Sequence, residues 1–180
     1  MRLWARDLLH FWFHDLKPSD WFRPGPEVDA ELQRRYGHWL AALSQRPAAE
    51  FLRDRYTARA AILLFDQVPR NLFRGEARAF ACDPLARAVM RGFLARGWDR
   101  SLSLHEAQFV LMPLMHSEHI ADQQLSLSRF AALGDSFILG FARDHYRMIS
   151  RFGRFPHRNA VLKRRSTAAE RRAVEAGNAW

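Results

Sequence analysis

Three stretches hold the residues with which this chain could do chemistry. The first is RFGRFPHRN at 151–159, where Arg151, Arg154, His157, Arg158 and Asn159 are interleaved with Phe152 and Phe155. The phenylalanines favour burial and draw the polar residues between them partly inward. A buried guanidinium is costly unless it is paired. The run therefore demands carboxylates from elsewhere in the chain, or an anionic ligand. Pro156 can open a short helix with His157 and Arg158 in its first turn, where N–H groups and a guanidinium would meet an anion. Lys163-Arg164-Arg165-Ser166-Thr167 extends the basic character.

The second stretch is Asp66-Gln67-Val68-Pro69-Arg70-Asn71 with Arg74. Arg70 and Arg74 stand four apart, so on a helical turn they project together. Two guanidiniums side by side need a negative group between them. Asp66 can supply it internally, tying the helix end, or a phosphate or carboxylate can be held bidentately. The third is His116-Ser117-Glu118, followed by His119 and Asp122. His and Glu beside a helix start suit acid–base chemistry. His116, His119 and Asp122, spaced by three, drift around a helix and do not fit one ion, so no metal site is expected. Ser117 as a helix cap and Glu118 as a counter to the helix dipole is the plainer reading. Pairing of Glu118 with an arginine of 151–158 refines it. His145 lies on the helix leading into the first stretch and reads as a hydrogen-bonded core histidine. Cys82 precedes a helix start, which lowers a thiol pKa, but the adjacent Asp83 opposes it. No G-x-S-x-G, P-loop or dinucleotide fingerprint is present.

These residues point first to a binding protein for an anionic small molecule or an acidic peptide group. Arg70, Arg74, Arg154 and Arg158 would supply charge. Gln67, Asn71, His157 and Asn159 would orient the ligand, while Asp66 and Glu118 balance the arginines. This reading expects the three stretches to converge. An enzyme would use the same groups, with His116 and Glu118, or His157 and Asp66, as acid–base pairs. A third reading is a buried network that serves only the fold. Nucleic acid held by the basic tail is a lesser alternative. No cofactor is implied.

The chain has 180 residues with 48% hydrophobic and 26% charged side chains, values of an ordinary globular domain. Fourteen Phe and six Trp suggest bulky packing between helices. The formal charge is +9, and only Lys17 and Lys163 are lysines. The charge is uneven: residues 143–180 hold ten basic and three acidic side chains. Cys82 is the single cysteine, which excludes an intramolecular disulfide and fits a reducing cytoplasm. Residues 1–16 carry Arg2, Arg6, Asp7, His10 and Asp15 and lack the apolar core of a leader. No apolar run approaches the ~18 residues of a membrane span. A cytoplasmic protein without membrane attachment is expected.

The elements that must position these residues read as helices throughout, about eight or nine of them in a single domain over 1–180. Leu3, Trp4, Leu8, Phe11 and Trp12 recur at helical spacing, as do Val28, Leu32, Tyr36, Trp39, Leu40 and Leu43. Pro47 suits the start of a third helix that passes through Phe51 and Ile62 and stops at Pro69. Asp83 before Pro84 reads as an N-cap, and Gly97 as a stop. Ser103 to Glu106 and Thr167 to Glu170 have capping-box spacing. Pro113 should kink or break its helix. Residues 118–133 form the next helix, and Asp135 caps one that closes at Gly153. Short connections favour antiparallel neighbours.

Four words together carry a resemblance: ILLFDQVPRNLFRG at 62–75, ARAFACD at 77–83, LMPLMHSE at 111–118 and RFGRFPHRN at 151–159. With Phe11-Trp12-Phe13 and Trp21-Phe22, the chain resembles the uncharacterised bacterial family known as domain of unknown function 924, over nearly its whole length. The resemblance implies an all-α, tetratricopeptide-like superhelix of helical hairpins and no established activity. The chain departs from that family's pattern at His119, where an acidic residue is usual, and at Lys163, where glycine is usual. The aromatic–aliphatic pair that commonly ends the last helix is absent near Ala173 and Val174.

Overall fold

A computed structural model of the chain describes residues 1–22 and 24–178, and these residues are helical with no strand. Ten α-helices are formed: α1 (Leu3–His10), α2 (Pro18–Phe22), α3 (Pro26–Leu43), α4 (Arg55–Asp66), α5 (Val68–Leu72), α6 (Asp83–Ala95), α7 (Leu104–Met115), α8 (Ile120–Ala132), α9 (Ser136–Phe152) and α10 (Ala168–Glu175). Two of these, α2 and α5, have only five residues each. The chain divides into two compact units, residues 1–74 with 78–103, and residues 75–77 with 104 onward.

The first unit is built around α4. Nine of its twelve residues are buried, from Thr57 to Asp66. Ala58, Ala60 and Ala61 let neighbouring helices approach, and Ile62, Leu63, Leu64 and Phe65 fill the space they leave. α1 and α6 pack against α4. Leu8, Trp12, Leu32, Tyr36, Phe51 and Phe93 complete the core. The end of α1 widens into a π-turn at Phe11–Asp15, closed by the Leu16 N–H on the Phe11 carbonyl at 3.0 Å. The Trp12 carbonyl accepts from Trp21 Nε1 at 2.8 Å, so a side chain fastens the widened turn.

Three helix boundaries here differ from the sequence expectation. The turn after Pro47 is a short 3₁₀ segment, Ala48–Glu50, and α4 starts afresh at Arg55. The cause is Asp54, whose carboxylate accepts from the Tyr56 and Thr57 N–H groups and so caps a new helix. Pro69 does not end a helix but lies in the first turn of α5, where its missing N–H costs nothing. The N-cap of α6 is Cys82, with Asp83 already inside the helix. Burial and Asp83 push the Cys82 thiol up, away from nucleophilic use.

The second unit packs α8 against both α7 and α9, and the 3₁₀ turn Pro156–Arg158 against α10. Three residues join α8 to α9, so the second helix folds back along the first. Met148, Ile149, Phe155 and Ala173 form a core cluster, with Phe152 against it. Pro113 lies inside α7 without breaking it, and the helix ends two residues later at Met115. α8 begins at Ile120 rather than at Glu118. Asp135 caps α9 through Ile138 N–H at 2.9 Å, and Gly153 closes it with φ 68°, the left-handed backbone that glycine adopts without penalty. Thr167 and Glu170 form a reciprocal capping box on α10.

Candidate functional site

The arginines of the 66–74 stretch are held by carboxylates of the first unit. Asp66 ends α4 fully buried, and Gln67 Nε2 donates to its Oδ2 at 2.5 Å. Arg70 donates to the Asp66 backbone carbonyl and lies 3.4 Å from its Oδ1. The same guanidinium meets both Asp83 oxygens at 3.0 Å. Burial lowers the Arg70 pKa, but Asp66 and Asp83 outweigh it, and the net shift is upward. Arg74 turns away to Asp29, reaching its two oxygens at 3.0 and 3.2 Å, and Asn71 donates to the same carboxylate at 2.9 Å. Arg70 and Arg74 thus serve different anions instead of sharing one. Asp29, in the first turn of α3, carries no motif in the sequence.

In the second unit, His116 follows α7 and Glu118 lies in the α7–α8 connection. The helix cap there is His119, without a side-chain bond. Ser117 Oγ accepts from the His119 N–H at 3.2 Å and donates to Asp122 at 2.7 Å. Gln123 Nε2 donates to the Met115 and Ser117 carbonyls, both at 2.7 Å, and so finishes the end of α7. Glu118 takes the Phe155 N–H at 2.7 Å and both arms of Arg164 at 2.7 and 2.9 Å. Burial pushes the Glu118 carboxyl up, but Arg164 and the Phe155 N–H outweigh it, leaving the acid stronger than usual. The bonded arginine is Arg164, in the extension of the basic run, and the charge of Arg158 also acts on Glu118.

Arg154 is also engaged. Its Nε and Nη2 meet the two Glu170 oxygens at 2.6 and 3.0 Å, and Nη2 also reaches the Arg165 carbonyl at 2.9 Å. The Arg154 guanidinium and the Thr167 N–H bring the Glu170 carboxyl down to about 2 against the opposing effect of burial. Asn159 is buried and donates to Ser166 Oγ at 3.0 Å. The 3₁₀ turn at 156–158 is too short to present a set of helix N–H groups, and the Phe155 N–H is held by Glu118.

What gathers around Phe155 is a group of nitrogen bases. Phe155 is fully buried. The His145 ring stands edge-on to it at 5.4 Å, the His157 ring lies at 5.6 Å, and the Arg158 guanidinium carbon sits 4.5 Å from its centroid. His116 is 6.2 Å from His145. His145 is 5% exposed, and its Nδ1 lies 2.8 Å from the Phe141 carbonyl. A carbonyl only accepts, so Nδ1 carries the proton and His145 is the neutral tautomer with its lone pair on Nε2. Burial, then the charges of His116, Arg158 and His157, bring its pKa down to about 3. His116 and His157 are only partly buried, whereas Arg158 is 6% exposed. The sequence places His116, His157 and Arg158 among the candidates; that His145 joins them follows from α9 crossing α7, which no spacing reveals. Among the described residues no group of three His, Cys, Asp or Glu is placed to hold a metal ion.

Residues 8–178 match the model of a family described as bacterial proteins of unknown function (DUF924). A solved structure of a protein of unknown function from Agrobacterium tumefaciens is similar, with a TM-score of 0.90 at 36% identity, covering 96% of this chain and 97% of that one. No curated protein matches. Among the described residues no helix is long and apolar enough to cross a membrane.

Proposed function

The chain belongs to the DUF924 family of unknown function, and because that membership carries no activity, we propose a function from its own side chains: binding of a small anionic group, a phosphate or carboxylate, by His116, His157 and Arg158 of the second unit. The supporting observation is the convergence of two imidazoles, His145 and His157, and the Arg158 guanidinium on a single buried ring, Phe155, with His116 beside His145. Cationic groups this close oppose one another's charged forms, and an anion among them removes that opposition. Arg158 offers a planar fork suited to phosphate and carboxylate, and the imidazoles offer N–H donors.

The arginines bound to carboxylates take a different part in this reading. Arg70, Arg74 and Arg154, with Asp66, Asn71 and Glu170, fasten helix ends and the last turn. Binding stands ahead of catalysis for two reasons. A general base works best with a pKa near the operating pH. His145 is held near 3, and Glu118 is held below the usual range by Arg164 and Phe155.

The test is thermal melting against inorganic phosphate, sulfate and small dicarboxylates, for wild type and Arg158→Gln. A ligand at about 100 times its Kd adds roughly 2.7 kcal/mol, or about 5–10 °C at this size. A rise in the wild type that is absent in Arg158→Gln supports the site. The same rise in both proteins removes Arg158 from it.

A further inference from the structure

Apart from the buried Arg158, the lysines and arginines of residues 143–172 fall into two classes. Arg147, Arg154 and Arg164 are paired with Asp144, Glu170 and Glu118. Arg143, Arg151, Lys163, Arg165, Arg171 and Arg172 are all exposed and meet no carboxylate among the described residues. The stretch contains only two acids, Asp144 and Glu170, and both are already in pairs. The surplus charge of the chain is therefore concentrated on one surface of the second unit.

That surface is ordered by α9. Its buried stripe is Ile138, Ala142, His145, Met148 and Ile149. At about 100° per residue, Arg143, Arg147 and Arg151 lie within an arc of about 80° centred opposite that stripe. They rise along the helix in steps of about 6 Å. The row continues past Gly153. Arg154 Nη2 holds the Arg165 carbonyl at 2.9 Å, and Arg171 Nη1 holds the Ser166 carbonyl at 2.8 Å. These two bonds carry Arg165 and Arg171 to the end of α9. The Arg147–Asp144 pair is exposed on both sides, 68% and 44%, and such a pair yields readily to a stronger anion. At the start of the same helix, Phe137 is 73% exposed, with its ring edge-on to Phe141 at 5.1 Å.

We propose that the outer face of α9 and the turn after it, through Arg143, Arg151, Arg165, Arg171 and Arg172 with Phe137 at one end, dock a single-stranded nucleic acid. A row of guanidiniums without counter-charges complements a row of phosphates, and arginine binds phosphate bidentately where lysine cannot. An exposed aromatic ring beside such a row stacks on a base, as in proteins that hold single strands without sequence preference. Its α9 arginines, Arg143 and Arg151, lie on the face of that helix opposite His145 and so apart from the Phe155 cluster.

The experiment is fluorescence anisotropy of a labelled 20-nucleotide single-stranded RNA with the full chain, between 50 and 200 mM salt. Binding should weaken steeply with salt. The variant Arg143→Gln/Arg151→Gln/Arg165→Gln/Arg172→Gln should bind at least 100-fold more weakly at 50 mM. Its log Kd against log salt slope should fall by about 3, at about 0.7 per lost contact on a single strand. Its melting temperature should stay close to the wild type, since the four side chains are exposed and meet no carboxylate, and the one ring contact among them is Arg151 on Phe152 at 4.9 Å. Phe137→Ser should weaken binding with the salt slope unchanged. Absence of RNA binding at 50 mM, wild-type affinity in the fourfold variant, or binding to phosphatidylserine vesicles in place of RNA would each overturn the proposal.

Discussion

Glu118 and Arg164 form a two-armed ion pair, 2.7 and 2.9 Å, between the α7–α8 connection and a turn 46 residues later. The same carboxylate takes the Phe155 N–H, and the same guanidinium reaches the Phe155 carbonyl at 3.1 Å. Phe155, on which His145, His157 and Arg158 converge, is thus gripped from both sides of its backbone. Glu118→Gln keeps the shape but removes the charge from a guanidinium that is only 23% exposed. A loss of about 1–3 kcal/mol is expected in urea unfolding. Glu118→Gln/Arg164→Gln should recover part of it. A Glu118→Gln protein as stable as wild type would show that Phe155 is anchored by its own packing.

His145 gives the protein a pH dependence of definite sign. Its folded pKa, about 3, lies below the ordinary value of 6.5. Below pH 6.5 the unfolded chain takes up a proton that the native state refuses. Stability is full above about 6.5 and is lost as pH falls toward 3, by about 1.4 kcal/mol for each pH unit. His145→Gln can still donate to the Phe141 carbonyl and does not titrate. Urea unfolding at pH 7, 6, 5 and 4 should show a shallower fall for this variant. Equal slopes in the two proteins would assign the acid sensitivity to other groups.

Arg70 and Arg74 should differ sharply when replaced. Arg70→Met strands two buried carboxylates, Asp66 and Asp83, and should cost about 3–5 kcal/mol. Arg74 is 59% exposed on its carboxylate, and Arg74→Ala should cost no more than about 1 kcal/mol. Equilibrium unfolding of both variants measures the contrast, and similar losses would contradict the division of roles.

Lys163 is the one described residue other than glycine with positive φ, at 55°. A side chain in the left-handed region carries a penalty of about 1–2 kcal/mol that glycine escapes, offset in part by the greater freedom of glycine when unfolded. Lys163→Gly should therefore raise stability by about 0.5–1 kcal/mol in urea unfolding. A loss of stability would mean that the lysine side chain stabilises the turn in some other way.

The Lys163 backbone also explains what the sequence made readable. The turn is left-handed at this position, so the lysine there marks a real conformational cost. Helices with periodic apolar faces were legible from spacing alone, as α1, α3 and α9 demonstrate. Caps were legible where the side chain does the capping, as at Asp135 and Thr167. They were misread where the residue has another partner: Asp83 belongs to Arg70 rather than to its own helix end. Spacing could suggest that arginines need carboxylates but not which ones. Asp29, Glu170 and Arg164 supply partners from 16 to 46 residues away, and only the packing of helices brings them together.

The most direct test of the anion site is carried by its own histidines. The full chain, labelled at histidine, would be titrated with inorganic phosphate at pH 7 and followed by NMR of the ring C–H signals. An anion beside an imidazole favours its protonated form. The His116 and His157 signals should shift saturably toward the imidazolium position, and His10 and His38 should stay in place. Arg158→Gln should abolish the shifts. Signals of His116 and His157 that do not move, or that drift in proportion to phosphate along with every exposed histidine, would contradict the site.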